Sequence, residues 1–154
     1  MSLKSKKCVQ KLPISIQEAW NFFSSPLNLR AITPTEMGFT ITSEDADAKM
    51  FPGMIISYTV RPLLGIPIEW VTEITQVKEH EYFIDEQRFG PYSFWHHKHF
   101  FKAVDGGTEI TDVVHYKIPL GPIGELASIL FVEKKLNTVF NYRVKKLEEL
   151  FGKM

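Results

Sequence analysis

From Phe39 to Ile118, hydrophobic and polar residues alternate with a period of two, which indicates half-buried β-strands. Turn-forming residues interrupt this alternation at 62–67, 78–80, 90–91 and 105–107. The pattern predicts one strand over 4–12 and six more near 37–44, 53–62, 66–77, 81–89, 93–104 and 108–118. With such short breaks between them, the last six strands should form a consecutive antiparallel meander.

The period changes to that of a helix in two parts of the chain. Ser15 with Glu18 forms a capping box before a first short helix, and Pro26 ends it and opens a second over 27–32. After Gly121 the chain is predicted helical to about Phe151, with one apolar stripe. The stripe consists of Leu126, Ile129, Val132, Leu136, Val139, Phe140, Val144, Leu147 and Leu150.

These elements predict an α+β fold in one domain, residues 1–154. A curved antiparallel sheet of six or seven strands would wrap around the long C-terminal helix, and the two short helices would close one end. Since a strongly curved sheet cannot touch a straight helix everywhere, a space should remain between them. That space is the predicted ligand pocket.

Composition narrows the classes of partner. Eighteen basic residues balance eighteen acidic ones, so we predict no binding to nucleic acid. The longest unbroken apolar run, at 129–132, is far too short for membrane insertion. The single cysteine, Cys8, excludes an internal disulfide, and no signal peptide is visible, so we expect a cytoplasmic protein.

Three histidines lie within the run SFWHHKHFF at 93–101, and a hairpin register decides which way they point. Asp105-Gly106 predicts a two-residue type I′ turn, so that paired residue numbers sum to 211. One face then holds mainly apolar and aromatic residues, whereas the other holds lysines. The inner pairs are Trp95 with Tyr116, His97 with Val114, His99 with Asp112 and Phe101 with Ile110. His96 should therefore point outwards, and His97 and His99 inwards.

The predicted pair of His99 and Asp112 supports two interpretations. It can orient a ligand or move a proton as a general acid or base, or it can be a satisfied structural pair. A metal site would use His97 and His99 with a third ligand, for which Asp112, Asp85 and Glu86 are the alternatives. From the sequence alone we predict neither a metal nor a cofactor.

Three stretches carry a resemblance to a known superfamily: LPISIQEAWNFFSSPLNLRAITP, DEQRFGPYSFWHHKHFFKAVDGGTEITDVVHY and PLGPIGELA. They resemble small bacterial ligand-binding members of the SRPBCC superfamily, which includes the START, polyketide cyclase and birch-pollen-allergen-like proteins. Phe94 and His96 depart from the polar residues expected at those positions. The resemblance covers nearly the whole chain and implies a helix-grip fold with a hydrophobic pocket for a small molecule.

The predicted function is therefore the binding of a small, largely hydrophobic molecule in the cavity between sheet and helix. The alternative is a cyclase or dehydratase in which His99 and Asp112 transfer a proton, and a protein-interaction domain is a third class. No feature singles out a protein partner. The predicted ligand contacts are Trp70, Trp95, His97, His99, Phe101, Asp112, Val114, Tyr116 and Leu130.

Overall fold

The computed structural model describes residues 3–44, 48–63, 65–119 and 121–154, and among these it leaves out the side chains of 62–63 and 121–130. Its secondary structure begins with a strand, two short helices and a 3-10 turn, and it ends with a long helix. In chain order the elements are β1 (Lys4–Leu12), α1 (Ile16–Phe23), α2 (Pro26–Leu29), the 3-10 turn Thr35–Met37, β2 (Thr40–Ile41), β3 (Ile55–Leu63), β4 (Ile66–Lys78), β5 (Tyr82–Phe89), β6 (Phe94–Val104), β7 (Gly107–Lys117) and α3 (Gly121–Phe151).

All seven strands belong to one antiparallel sheet in the order β1-β7-β6-β5-β4-β3-β2. The meander of β2 to β7 is the predicted one, and β1 joins it beside β7. The β6–β7 register also agrees with the prediction, since His99 lies opposite Asp112 and Trp95 opposite Tyr116. The predicted turn type was wrong: Gly106 has a φ of 78°, but His80 is the only non-glycine with positive φ among the described residues, so Asp105 does not have the type I′ conformation.

The predicted strand at 37–44 was too long, because the chain turns sharply at its beginning. Gly38 takes a left-handed conformation with a φ of 53° and ends the 3-10 turn. Strand β2 then covers only Thr40–Ile41, and the backbone N–H groups of Thr42 and Ser43 both bond to the carbonyl of Ser57. Helix α2 is likewise shorter than predicted and ends at Leu29.

Helix α3 runs parallel to β1 and covers the neighbouring part of the sheet. Lys4 Nζ lies 2.5 Å from Glu133 Oε1, and Gln10 Nε2 donates to the carbonyl of Val144 at 2.9 Å. Along the predicted stripe of α3, Leu136, Phe140 and Leu147 are buried. Leu150 was placed on this stripe but is 48% exposed, whereas the next residue, Phe151, packs edge-to-face on Phe22.

The core under the two short helices is a separate cluster from the one under the middle of α3. Trp20, Phe23 and Phe101 form edge-to-face contacts with centroid distances of 5.4–5.5 Å. The second cluster joins Val114 and Tyr116 of β7 to Leu136 and Phe140 of α3. Two separate clusters therefore cover the inner face of the sheet near β1 and β7, one beneath α1 and one beneath α3.

We expect Gly107→Ala to lower the free energy of unfolding by about 1–3 kcal/mol, because overpacking forces the backbone apart. A Cβ at Gly107 would collide with the backbone carbonyl oxygen of Leu12, where β1 meets β7. Gly106→Asn is the control, since asparagine tolerates the left-handed conformation that Gly106 has. Urea unfolding of both variants measures the difference, and equal losses would contradict the close approach of the two strands.

Candidate functional site

A band of polar side chains crosses the concave, mostly apolar face of the sheet. Each strand contributes at a position of inward parity, because side chains alternate between the two faces. The band begins at β1 and continues through β7, β6, β5 and β4. Its members are Cys8, Asp112, His97, His99, Asp85 and Thr72.

At the middle of this band, Asp85, His97, His99 and Asp112 form a cluster that we call the His–Asp quartet. His97 Nε2 donates to Asp112 Oδ1 at 3.0 Å, and His99 Nε2 donates to Asp85 Oδ2 at 2.7 Å. The two other nitrogens are also close to carboxylate oxygens. His97 Nδ1 lies 3.6 Å from Asp85 Oδ2, and His99 Nδ1 lies 2.8 Å from Asp112 Oδ1 without an aligned hydrogen bond. Each imidazole thus faces both carboxylates.

The quartet differs from the predicted pair of His99 and Asp112 in one respect. His99 lies opposite Asp112 in the ladder, as predicted, but the aligned hydrogen bond to Asp112 comes from His97. The aligned bond of His99 goes to Asp85 on the neighbouring strand. The sequence left both the parity of Asp85 and that of Glu86 open. Asp85 points inwards, whereas Glu86 lies on the outer face, 3.6 Å from Arg88 Nη1.

Burial and charge set the protonation of the quartet. Burial works against ionisation of Asp112, but the hydrogen bond from His97 and the nearby charge of His99 outweigh it and hold its pKa well below its usual range. The pKa of Asp85 is also lowered, because the charge of His97 and the hydrogen bond of His99 outweigh its burial. The same contacts raise the pKa of His99 against its burial, whereas burial and repulsion from His99 lower the pKa of His97.

Aromatic rings enclose the quartet. The ring of Phe83 stacks on His99 at a centroid distance of 4.1 Å, and the ring of Phe140 from α3 lies 6.0 Å from that of His97. The exposed fractions of His97 and His99 are only 5% and 7%. Asp85 is the more accessible carboxylate, with a side chain 15% exposed against 9% for Asp112. Asp85 is therefore the least buried side chain of the quartet.

Beside the quartet lies a set of four rings, Tyr58, Trp70, Tyr92 and Trp95, that we call the aromatic group. Trp70 is its centre: it stacks on Tyr58 at 5.7 Å and meets Trp95 edge-on at 5.2 Å. Trp70 is buried, but the other three are only half-buried. Within the described part of the chain, no atom accepts a hydrogen bond from the buried Nε1 of Trp70.

The predicted ligand contacts lie in several different environments. Trp70 and Trp95 belong to the aromatic group, and Tyr116 adjoins it, with its ring 6.0 Å from that of Tyr92. Val114 is fully buried under α3, while Phe101 packs in the other core cluster against Trp20. Phe101 is thus part of the packed core beneath α1. The side chain of Leu130 lies outside the described residues.

A depression of about 460 Å³ opens between β1 and α3. Its lining is mostly polar, and Tyr116 is the one predicted ligand contact in it. The lining residues are Lys4, Ser5, Lys6, Tyr116, Glu133, Leu136 and Asn137. This depression differs in chemistry from the apolar pocket predicted from the sequence.

Sequence reasoning missed several residues of the site. Tyr58 and Tyr92 were not among the predicted ligand contacts, although Tyr58 lies within the predicted strand 53–62 and Tyr92 just before the predicted strand 93–104. Phe140 was assigned only to the helix stripe. No sequence signal identified Tyr92 as a neighbour of the β5 strand, because its position depends on a side chain: Gln87 donates to the carbonyl of Tyr92 and accepts from its N–H.

Solved structures show the same fold along nearly the whole chain. The Zhui aromatase/cyclase from Streptomyces sp. R1128 superposes with a TM-score of 0.73 at 10% identity, covering 95% of this chain and 92% of that one. Ara h 8.0201 has a TM-score of 0.62 at 15% identity, covering 96% and 99%. CV1439 from Chromobacterium violaceum has a TM-score of 0.71 at 13% identity, covering 97% and 98%.

The architecture and these neighbours define a helix-grip protein, as predicted. Their fold is the one that the resemblance to the SRPBCC superfamily implied. No protein-family model matches the chain, and the search of curated proteins found no match. Among the described residues, no helix is both long and apolar enough to cross a membrane.

Proposed function

We propose that this protein binds a small, largely apolar molecule between the concave face of the sheet and α3. The observation that carries the proposal is the aromatic group with its buried donor. Trp70 Nε1 has no acceptor among the described residues, and an unmet buried donor is costly. A ligand with an acceptor oxygen or nitrogen would satisfy it, while its apolar body packs on the half-buried rings.

The His–Asp quartet supports the same proposal at the other end of the ligand. Trp95 connects the two sets, because its ring meets that of Trp70 at 5.2 Å and that of His97 at 6.1 Å. A polar group of the ligand would face Asp85, the more accessible carboxylate of the quartet. Val114 and Tyr116 would then form the wall under α3, with Leu130 as a further proposed contact.

The neighbours and the composition complete the proposal. One solved neighbour is named an aromatase/cyclase, and its fold is the one found here. We propose a single domain over 1–154 in the cytoplasm, where the free Cys8 would stay reduced. Burying about twenty ligand atoms at roughly 0.3 kcal/mol each gives an affinity of tens of micromolar.

Proton-transfer catalysis by His99 and Asp112 is the second candidate. The raised pKa of His99, caused by its two carboxylate neighbours against its burial, favours a histidine that holds a proton. Both of its ring nitrogens, however, already face carboxylates within 2.8 Å. Since a substrate would have to displace one of these contacts, we rank binding first.

We expect Trp70→Phe to weaken binding roughly two- to tenfold, because it removes one hydrogen-bond donor and keeps the ring. Native mass spectrometry first identifies any molecule that co-purifies with the full chain. Fluorescence titration with anilinonaphthalene sulfonate, which has a naphthalene body and acceptor oxygens, then measures affinity in the wild type and the variant.

A second variant, Trp95→Ala, should also weaken probe binding. Its matched control is Phe94→Ala, because Phe94 is next to Trp95 but lies on the outer face of the same strand and is 42% exposed. Phe94→Ala should leave the titration unchanged. A wild-type protein with no co-purified molecule and no saturable probe binding would contradict the proposal. So would equal effects of Phe94→Ala and Trp95→Ala.

A further inference from the structure

All four imidazole nitrogens of His97 and His99 lie close to carboxylate oxygens, at 2.7–3.6 Å. The two rings are neighbours, with centroids 3.7 Å apart. His99 Nδ1 is buried and has no aligned hydrogen bond among the described residues. Each ring thus turns one nitrogen towards Asp85 and the other towards Asp112.

One metal cation can lie between Asp85 and the two imidazole nitrogens that face it. Asp85 Oδ2 lies 2.7 Å from His99 Nε2 and 3.6 Å from His97 Nδ1. These three residues each offer a ligand atom, and all three atoms lie within 4.8 Å of one another. Two imidazole nitrogens and one carboxylate oxygen form a donor set that suits zinc and ferrous iron.

The other two nitrogens have the partner that a metal site requires. His97 Nε2 and His99 Nδ1 lie 3.0 and 2.8 Å from Asp112 Oδ1. In metal sites, a coordinating imidazole usually donates its second N–H to a carboxylate, which sets its tautomer and orientation. Asp112 Oδ1 accepts an aligned bond from His97 Nε2 and lies close to His99 Nδ1, whose N–H would have to align with it when the ion binds.

Charge favours the same arrangement. A divalent ion bound by two neutral imidazoles would balance the two buried carboxylates and leave no net charge in the quartet. Buried charges are unfavourable unless they are paired or coordinate a metal. Asp85, whose side chain is 15% exposed, is the proposed ligand nearest to solvent.

We propose that Asp85, His97 and His99 bind a divalent transition-metal ion through Oδ2, Nδ1 and Nε2, with Asp112 as the positioning residue. Three protein ligands leave a fourth position of a tetrahedral ion for water or a ligand oxygen. The ligand atoms must move slightly apart to admit the ion, because each metal bond is about 2.0–2.2 Å long. This inference does not depend on the proposed small-molecule binding.

Calorimetric titration of the chelator-treated full chain with Zn²⁺ tests the site, and Co²⁺ absorption reports its geometry. We expect one ion per chain and a tetrahedral Co²⁺ spectrum. Asp112→Asn should weaken Zn²⁺ binding roughly 10- to 100-fold, as changes to such outer partners do. Asp85→Asn and His97→Asn should weaken it more. His96→Asn, one position away on the outer face, is the matched control and should leave it unchanged.

A second measurement needs no variant and so remains informative if a substitution prevents folding. In wild-type protein with ¹⁵N-labelled histidine, Zn²⁺ should shift His97 Nδ1 and His99 Nε2, while His97 Nε2 and His99 Nδ1 keep their protons. The proposal is overturned by absence of stoichiometric binding, by unshifted resonances of these rings, or by an equal effect of His96→Asn. Probe binding by the aromatic group is measured separately, so failure of one proposal leaves the other distinguishable.

Discussion

Asp112→Ala should lower the free energy of unfolding by about 3–5 kcal/mol in chelator-containing buffer, since it breaks a buried ion-paired network on one side. Asp112 is 6% exposed, and the substitution removes the acceptor that faces both His97 and His99. The two imidazoles would then remain buried with one carboxylate between them. Urea unfolding at neutral pH, followed by circular dichroism, measures the loss.

The control lies three residues earlier on the same strand. Glu109 is half-buried on the outer face, 3.8 Å from the exposed Lys11 Nζ, and Glu109→Ala should cost less than about 1 kcal/mol. If Asp112→Ala costs no more than this control, the quartet contributes little to stability. Its presence would then have to be explained by function alone.

The acid dependence of the same variant separates loss of charge pairing from loss of volume. The pKa of Asp112 is lowered in the folded protein, because the hydrogen bond from His97 and the nearby charge of His99 outweigh its burial. The stabilisation is therefore present above the unfolded pKa of about 3.9 and is lost as the pH falls below it. The difference between wild type and Asp112→Ala should shrink from about pH 5 downwards. A difference independent of pH would indicate a packing effect.

Leu147→Ala should destabilise the protein by about 2–5 kcal/mol, because it leaves a cavity in a packed core. Leu147 is 2% exposed and joins the end of α3 to the cluster that contains Trp20, Phe23 and Phe101. Thermal and urea unfolding both report the loss. Phe83 connects this cluster to the quartet, since its ring lies 4.1 Å from that of His99, so Zn²⁺ binding measured below the unfolding transition reports whether the cavity disturbs the quartet.

Leu150→Ala is the matched control on the same helix. The side chain is the same, but Leu150 is 48% exposed, so the change should stay within about 0.5 kcal/mol. Similar losses for the two leucines would mean that α3 packs on the sheet with a different face. The comparison thus tests how α3 is docked, independently of any ligand.

Local patterning determined the strands and the face that each histidine occupies. A strand has a period of two, so one correct hairpin pairing assigns every side chain on both strands, and the pairing of His99 with Asp112 followed from a two-residue loop at Asp105-Gly106. The pairing was correct although the predicted turn type was wrong. The register depends on the number of loop residues, whereas the turn type depends on backbone angles that a glycine leaves open.

The position of Asp85 could not be predicted in this way. Strands β5 and β6 pair from Tyr82 with Phe100 to Glu86 with His96, and the connection after Glu86 is too long to determine a register. On its other side, the β4–β5 ladder shifts twice, between Val71 and Thr72 and between Ile74 and Gln76. Each shift reverses the parity that simple alternation predicts.

The sequence by itself therefore determined the order of the elements, the inner face of β6 and β7 and the pairing of His99 with Asp112. Only the tertiary structure decided that Asp85 completes the quartet and that Trp70 lies beside it with a donor that has no acceptor among the described residues. It also decided that Leu150 is exposed while Phe151 packs on Phe22. The physical reason is that periodicity specifies which face of an element is apolar, whereas bulges, long connections and the extent of the opposing surface decide which faces meet.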